Sequence, residues 1–378
     1  MPLVDAIVSS PLVHDADMAE RGLRELRLKG AQTEDAASIA ALIDAGSPAL
    51  ALVTGIFGNS PYLSRLINTN PPEFVRCIHA EPWDYLRQSA ATLHTAIATC
   101  LRHDEAMKPL REAKRRLALV TALADLGGVW DVSEVTAALS EGADVLLTAA
   151  IRFLLTEAAR QGKIVLADAD APEAGSGYIV LGMGKYGARE LNYSSDIDLI
   201  VFYDPEKAPL AAGQEPSSFF VRLTRDLVKL MVERTPEGYV FRTDLRLRPD
   251  PGATQVALSV ESGLHYYESV GQNWERAAFI NARAVAGDIA AGAAFLGQLA
   301  PYIWRKYLDY AAIADVHAMK RQIHAHKGHA RIAIEGHNLK LGRGGIREIE
   351  FFVQTQQLIL GGRDPALRTS RTLEGLRA

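Results

Sequence analysis

Residues Leu191–Asp204 read LNYSSDIDLIVFYD, and no other stretch restricts the fold as much. Asp196 and Asp198 stand one residue apart at the mouth of an apolar, strand-forming run. A carboxylate beside a core is costly unless it is paired or binds a metal, so the strand needs a counter-charge from elsewhere. A strand repeats every two residues, which turns both acids to one side, roughly 6–7 Å apart along the backbone. That spacing suits convergence on one or two metal ions, as in two-metal phosphoryl transfer.

Two further stretches bear on the pair. Upstream, YIVL (178–181) leads into LGMGKYGARELNYSS, where Gly182, Gly184 and Gly187 form a Gly-rich turn. Glycines let backbone N–H groups approach phosphate oxygens, and Lys185 adds a charge inside the turn. Downstream, the alternation in YVFRTDLRLRP (239–249) predicts a strand with Arg242, Asp244, Arg246 and Arg248 on one face. Phe241, Thr243, Leu245 and Leu247 take the other, largely core-facing side. A third carboxylate flanked by guanidiniums suits a metal and a phosphate, and Pro249 ends the strand.

Two competing readings bear on these residues. One is that the acids simply pair with the arginines. The Gly-rich turn, the strand and the distant DLRLRP agree with one another, which favours a site over mere pairing. The pattern at Asp168 and Asp170 has neither a glycine turn before it nor a strand after it and is set aside. The other reading is a dinucleotide-binding fingerprint, since Gly182, Gly184 and Gly187 satisfy GxGxxG and Asp204 follows about twenty residues on. That fold needs a crossover helix of about three turns between its first two strands, and only ARELNYSS is available.

Residues 1–155 read as an N-terminal helical region, with KRRLALVTALADLGG stopping at Gly127 and Gly128 and a capping box at Asp131 and Glu134. Residues 156–260 carry the strand-like runs and the amphipathic SSFFVRLTRDLVKLMVERT, and 261–378 return to helix. The expected fold class is α+β, mostly helical, with a central mixed β-sheet domain flanked by helical regions. Hydrophobic residues make up 48% of the 378, enough for sizeable cores, and the net charge of -4 argues against bulk nucleic-acid binding. The apolar run Val145–Leu155 is short and contains Arg152, so no membrane span is expected. Cys77 and Cys100 belong to no CxxC pair, and the N-terminus has no signal-peptide pattern, so a cytoplasmic protein without structural zinc is expected.

GMGKYGARELNYSSDIDLIVFYD resembles the nucleotidyltransferase motif of the glutamine synthetase adenylyltransferase/adenylyl-removing family. DLRLRPDPGATQVALSVESGLHYYESVGQNWERAAFINARAVAGD, LKLGRGGIREIEFFVQ and, more weakly, GNSPYLSRLI resemble it too. The family has two nucleotidyltransferase domains in tandem. ELNYSSDIDL and DLRLRP resemble its N-terminal half, credited with removing AMP from adenylyl-tyrosine by phosphorolysis. The chain ends at RTLEGLRA, in what reads as mid-helix, as a fragment or shortened product would.

The resemblance implies a nucleotidyltransferase-type sheet and a two-metal magnesium site at Asp196, Asp198 and Asp244. Gly182, Gly184, Lys185, Ser195, Arg246 and Arg248 are the implied phosphate and nucleotide contacts. Tyr186 and Ala188 stand where Leu and Gly are more usual, away from the acids. Arg276, Glu348 and Glu350 are candidates for substrate contact, with structural bracing as the alternative. The implied partners are glutamine synthetase, phosphate, ADP or ATP, and PII-type nitrogen signalling proteins. A non-catalytic binding module is the alternative outside enzymes. His317, His324, His326, His329 and His337 lie close in sequence; no carboxylate or cysteine joins His317 and His324, which share a helix face, and the stretch reads as a solvated helix rather than a zinc site.

Overall fold

The computed structural model describes residues 1–44, 46–306 and 335–378. The chain divides into two compact units, 1–153 with 232–240, and 154–231 with 241–378.

The first unit is helical, and its helix starts are written in the sequence. Helices Pro48–Phe57, Pro61–Thr69, Pro71–His79 and Pro82–Thr99 each place proline directly after a capping side chain, from Ser47, Ser60, Asn70 and Glu81. Proline lacks the N–H that has no partner in a first turn, and the cap oxygen accepts one of the other unpaired N–H groups. Helix His103–Leu126 stops at Gly127 as predicted. Asp131 and Glu134 cap Val132–Arg160 reciprocally, at 2.9 and 3.0 Å. Arg111 is fully buried and donates to the carbonyls of Met107, Glu233 and Gly238.

The second unit is built on a mixed five-stranded sheet, so the described chain is α+β and mostly helical, as the sequence predicts. β1 (Tyr178–Gly182) pairs antiparallel with β2 (Ile197–Tyr203) and, on its other edge, with β5 (Arg283–Gly287). β3 (Thr243–Asp244) and β4 (Leu258–Ser259) both run parallel to β2, one at its start and one at its end. Antiparallel β1 and β2 are incompatible with a dinucleotide-binding unit, whose first two strands are parallel. β1 and, beyond Asp198, β2 are apolar because both faces are covered. Ile179, Leu181, Ile200 and Phe202 pack with Tyr267, Phe295 and Leu299. On the opposite face Phe220, in helix Pro216–Val232, stacks on Tyr178 and Tyr203. Helices Val260–Ser269, Asn273–Phe279 and Ile289–Ile303 contribute to the sheet's own core.

The strand expected over 239–249 is only two residues long. The backbone N–H of Arg246 donates to Asp244 Oδ1 at 2.8 Å, which turns the chain just after β3. No helix among the described residues is long and apolar enough to cross a membrane.

Close packing fixes the turn after β1. A Cβ on Gly187 would lie 1.9 Å from the carbonyl oxygen of Asn281 and 2.4 Å from that of Gly182. Gly187→Ala is therefore expected to destabilise this unit by about 1–3 kcal/mol. Gly213→Ala, with nothing within 4 Å but a φ of +85°, meets only backbone strain. Thermal melts of the two variants check this: equal midpoints would disprove the close approach at Gly187.

Candidate active site

The start of β2 is where the chain leaves the core, and the three acids meet there. The N–H of Met183 donates to the carbonyl of Asp198 at 2.9 Å, carrying the β1–β2 ladder one residue past Gly182. Gly184 follows with φ +52° and opens the short helix Gly184–Gly187. A Cβ there would lie 3.2 Å from Asp198 Oδ2, so glycine keeps the space beside that carboxylate open. The chain returns through two left-handed residues, Arg189 and Ser194. β3 pairs with β2 in the register Ile197↔Thr243 and Asp198↔Asp244, which sets Asp244 beside Asp198 across one ladder rung.

The charges divide unevenly. Asp196 accepts from Arg242 Nε, whose Nη2 also donates to the Ser194 carbonyl at 2.6 Å. Asp244 accepts from Arg246 Nε at 3.0 and 2.9 Å on its two oxygens, and from Nη2. That guanidinium holds Asp244 below the usual carboxylate range. Asp198 is pushed up to about 6, by burial first, then by Asp244 and Asp196, with Arg246 and Lys340 opposing. The mutual repulsion thus falls on Asp198, because Asp244 already has a guanidinium.

Two of the three acids are therefore paired as the competing reading expects. Among the described residues no three carboxylate, imidazole or thiol groups stand placed to hold an ion. The donor set still fits a hard divalent cation: three carboxylates, with no nitrogen or sulfur ligand among them. The repulsion left on Asp198 is the charge that such an ion would neutralise.

Among the other predicted residues, Gly182 ends β1, opposite Leu199 and Arg283. Lys185 and Ser195 are half-buried on either side of the returning loop. Arg248 is a correction. Its guanidinium donates to the carbonyls of Leu245 and Pro251, each at 2.8 Å, and of Thr254 at 3.3 Å, so it clamps a turn rather than facing a phosphate. Arg276 is another. It is 1% exposed and donates to the carbonyls of Tyr302 and Ile303 and to Asn273 Oδ1, which braces the end of helix Ile289–Ile303. Burial, with Arg305 nearby, pushes its pKa down to about 10.

Glu348 accepts from the Gly344 N–H at 2.6 Å and ties the Gly-rich stretch to helix Ile346–Leu360. Glu350 is half-buried and its charge bears on Glu190, at the exit of the glycine turn. Burial raises Glu190, with Arg371 opposing and Glu350 adding to the rise. The ring Nε2 of His337 lies 3.2 Å from the Arg343 carbonyl; His317, His324, His326 and His329 lie outside the described residues.

Arg242 is the partner of Asp196, as the competing reading allowed, and two residues take parts that the sequence reading did not give them. Lys340 is a cation acting on Asp198. Arg283 donates to the carbonyls of Gly187 and Tyr186 at 3.4 and 3.5 Å, bracing the glycine turn. Arg242 opens RTDLRLRP and Lys340 lies in LKLGRGG, both within stretches singled out above.

Residues 50–298 match the family model described as glutamate-ammonia ligase adenylyltransferase. The chain belongs to that family. Residues 317–378 match a second model, described as GlnD PII-uridylyltransferase. The chain is 51% identical over 374 residues to the bifunctional glutamine synthetase adenylyltransferase/adenylyl-removing enzyme of a Bradyrhizobium species, covering 99% of this chain and 38% of the relative. The enzyme of the same name from Xanthobacter autotrophicus is 52% identical over 369 residues, 98% of this chain and 37% of the relative. That from Mesorhizobium japonicum is 50% identical over 373 residues, with the same shares. The chain thus spans a little over a third of the length of these relatives.

The bracing part of Arg276 has a direct test. Arg276→Met leaves buried carbonyls without donors and is expected to lower stability by about 1.5–3 kcal/mol. Divalent-cation affinity should not change. Normal stability combined with weakened substrate binding would return Arg276 to the site.

Proposed function

We propose that this chain is a metal-dependent nucleotidyltransferase that removes AMP from adenylyl-tyrosine on glutamine synthetase by phosphorolysis. The observation that carries the reading is the β2–β3 register, with Asp244 beside Asp198, Asp196 two residues away and the Gly184 gap against them. Family membership supports the substrate. The removing direction rests on the ELNYSSDIDL and DLRLRP forms, which resemble the half credited with that reaction.

Asp196, Asp198 and Asp244 would hold magnesium. When bound, the ion neutralises phosphate charge and orients the attacking and departing oxygens. The chain's own residues do the rest. Gly184 leaves room for a phosphoryl group beside Asp198, and the largely exposed Arg246 is the candidate grip for inorganic phosphate. An oxygen of inorganic phosphate attacks the AMP phosphorus, and the bond from phosphorus to the tyrosyl oxygen breaks. ADP leaves, and the tyrosyl oxygen takes up a proton at its ordinary pKa of about 10. A PII-type signalling protein is the proposed upstream partner, on resemblance and on the match of residues 317–378.

Adenylylated glutamine synthetase, phosphate and magnesium should yield one ADP per AMP removed. Asp196→Asn or Asp198→Asn should slow this by roughly 10²–10³-fold or more while leaving the fold intact. Unmodified glutamine synthetase with ATP should release little pyrophosphate. Vigorous pyrophosphate release would reverse the direction, and wild-type turnover in either Asn variant would remove the carboxylates from the site.

A further inference from the structure

We propose that Arg242 is an exchangeable counter-ion: it holds Asp196 while no cation is bound and passes to a substrate phosphate when a divalent cation takes that carboxylate over. The inference rests on the three-carboxylate reading above and adds a residue with two successive partners.

Backbone pairing fixes where Arg242 can reach. Its carbonyl accepts the N–H of Ile197 at 3.0 Å, so its Cα is locked beside the first residue of β2. The side chain sweeps a volume centred on the acids. Of the two acids with arginine partners, its own is the more open to an arriving ion. Asp196 is 47% exposed against 15% for Asp244, while Arg242 is 53% and Arg246 84% exposed. An exposed pair of this kind is weak and readily exchanged. Arg246, by contrast, is chelated by both oxygens of Asp244 and by the turn that its own N–H forms. Arg248 and Arg276 are anchored on backbone carbonyls, whose partial charge draws no incoming cation.

Charge balance completes the argument. Three carboxylates face Arg242 and Arg246, with Lys340 acting on Asp198. A divalent ion brings two further positive charges and competes with Arg242 for Asp196. The displaced guanidinium stays tethered at the site, and the excess positive charge is then met by a phosphate, for which a guanidinium is a two-pronged donor. Arg242 thus opposes the metal and assists the phosphate, so its removal must move the two affinities in opposite directions. A purely structural arginine, or one that only grips phosphate, produces no such reversal.

The test uses the full 378-residue chain. Mn²⁺ alone is titrated calorimetrically into wild type, Arg242→Ala and Arg242→Gln; the glutamine keeps a donor for the Ser194 carbonyl should the alanine variant not fold. Inorganic phosphate is then titrated at saturating Mg²⁺. Both variants should bind Mn²⁺ more tightly, by up to about fivefold. Both should bind phosphate more weakly, by roughly tenfold or more. Unchanged or weaker Mn²⁺ binding in a folded variant overturns the exchange, as does unchanged phosphate affinity. Asp196→Asn and Asp198→Asn in the same Mn²⁺ titration separate the two levels. If they bind like wild type, the three-carboxylate reading falls and the exchange with it. If they lose Mn²⁺ while the Arg242 variants gain nothing, only the exchange fails.

Discussion

Repulsion among Asp196, Asp198 and Asp244 is the constraint around which the second unit is organised. Two unit charges about 4 Å apart cost about 1 kcal/mol in water and several times that where water is partly excluded. Something must hold the carboxylates together, and the β-ladders do. Asp198 is placed by β2, whose neighbours Leu199 and Ile200 are buried, and Asp244 is placed by its rung against β2. The glycine turn, Arg242, Arg246 and Lys340 all sit around that concentrated charge, either leaving it room or offsetting it. The sheet's core supplies the rigidity, and the strand ends carry the three acids.

The arginines divide by what they donate to. Arg276, Arg248 and Arg283 donate to backbone carbonyls, and Arg111 does the same in the first unit. A carbonyl cannot be taken over by an incoming metal without breaking the backbone pattern around it, so these guanidiniums act as fixed braces. Arg246 pairs with a carboxylate, and Arg242 pairs with one while also donating to the Ser194 carbonyl at 2.6 Å. This is why Arg248, in the same short motif as Arg246, does not share its part.

Much of the site was legible because its signals are local. The paired acids, the glycine turn and the capped helix starts each depend on residues a few positions apart. The dinucleotide alternative fails on an interval that can be counted in the sequence, and the antiparallel β1–β2 pair agrees. The length of β3 was not legible. Alternation in 239–249 suits a long strand, but the Asp244 carboxylate accepts the Arg246 N–H and turns the chain at once. Nor was the part of Lys340, which lies more than a hundred residues from Asp198 in sequence and meets it only through the fold. The sequence left Arg276 open between substrate contact and bracing, and the burial of its guanidinium, which no local pattern reveals, favours bracing.

The distribution of charge also bears on the order in which ligands enter. An anionic phosphate approaching the site first would meet three carboxylates, two of them paired with arginines and one, Asp198, half-buried with its repulsion offset only in part by Arg246 and Lys340. The guanidiniums that would welcome the phosphate are engaged. A cation approaching first would meet the half-exposed Asp196 and Asp198, whose repulsion Arg246 and Lys340 only partly offset, and would lower that repulsion. For the proposed cation and phosphate, cation before anion would be the downhill order. Asp196 lies outside β2 and half-exposed, while Asp198 lies within the strand and is partly covered, so the outer acid meets an arriving ion and the inner one is relieved by it. With one acid at the strand's mouth and the other two positions inside it, a site of the proposed kind would take up its charges in sequence.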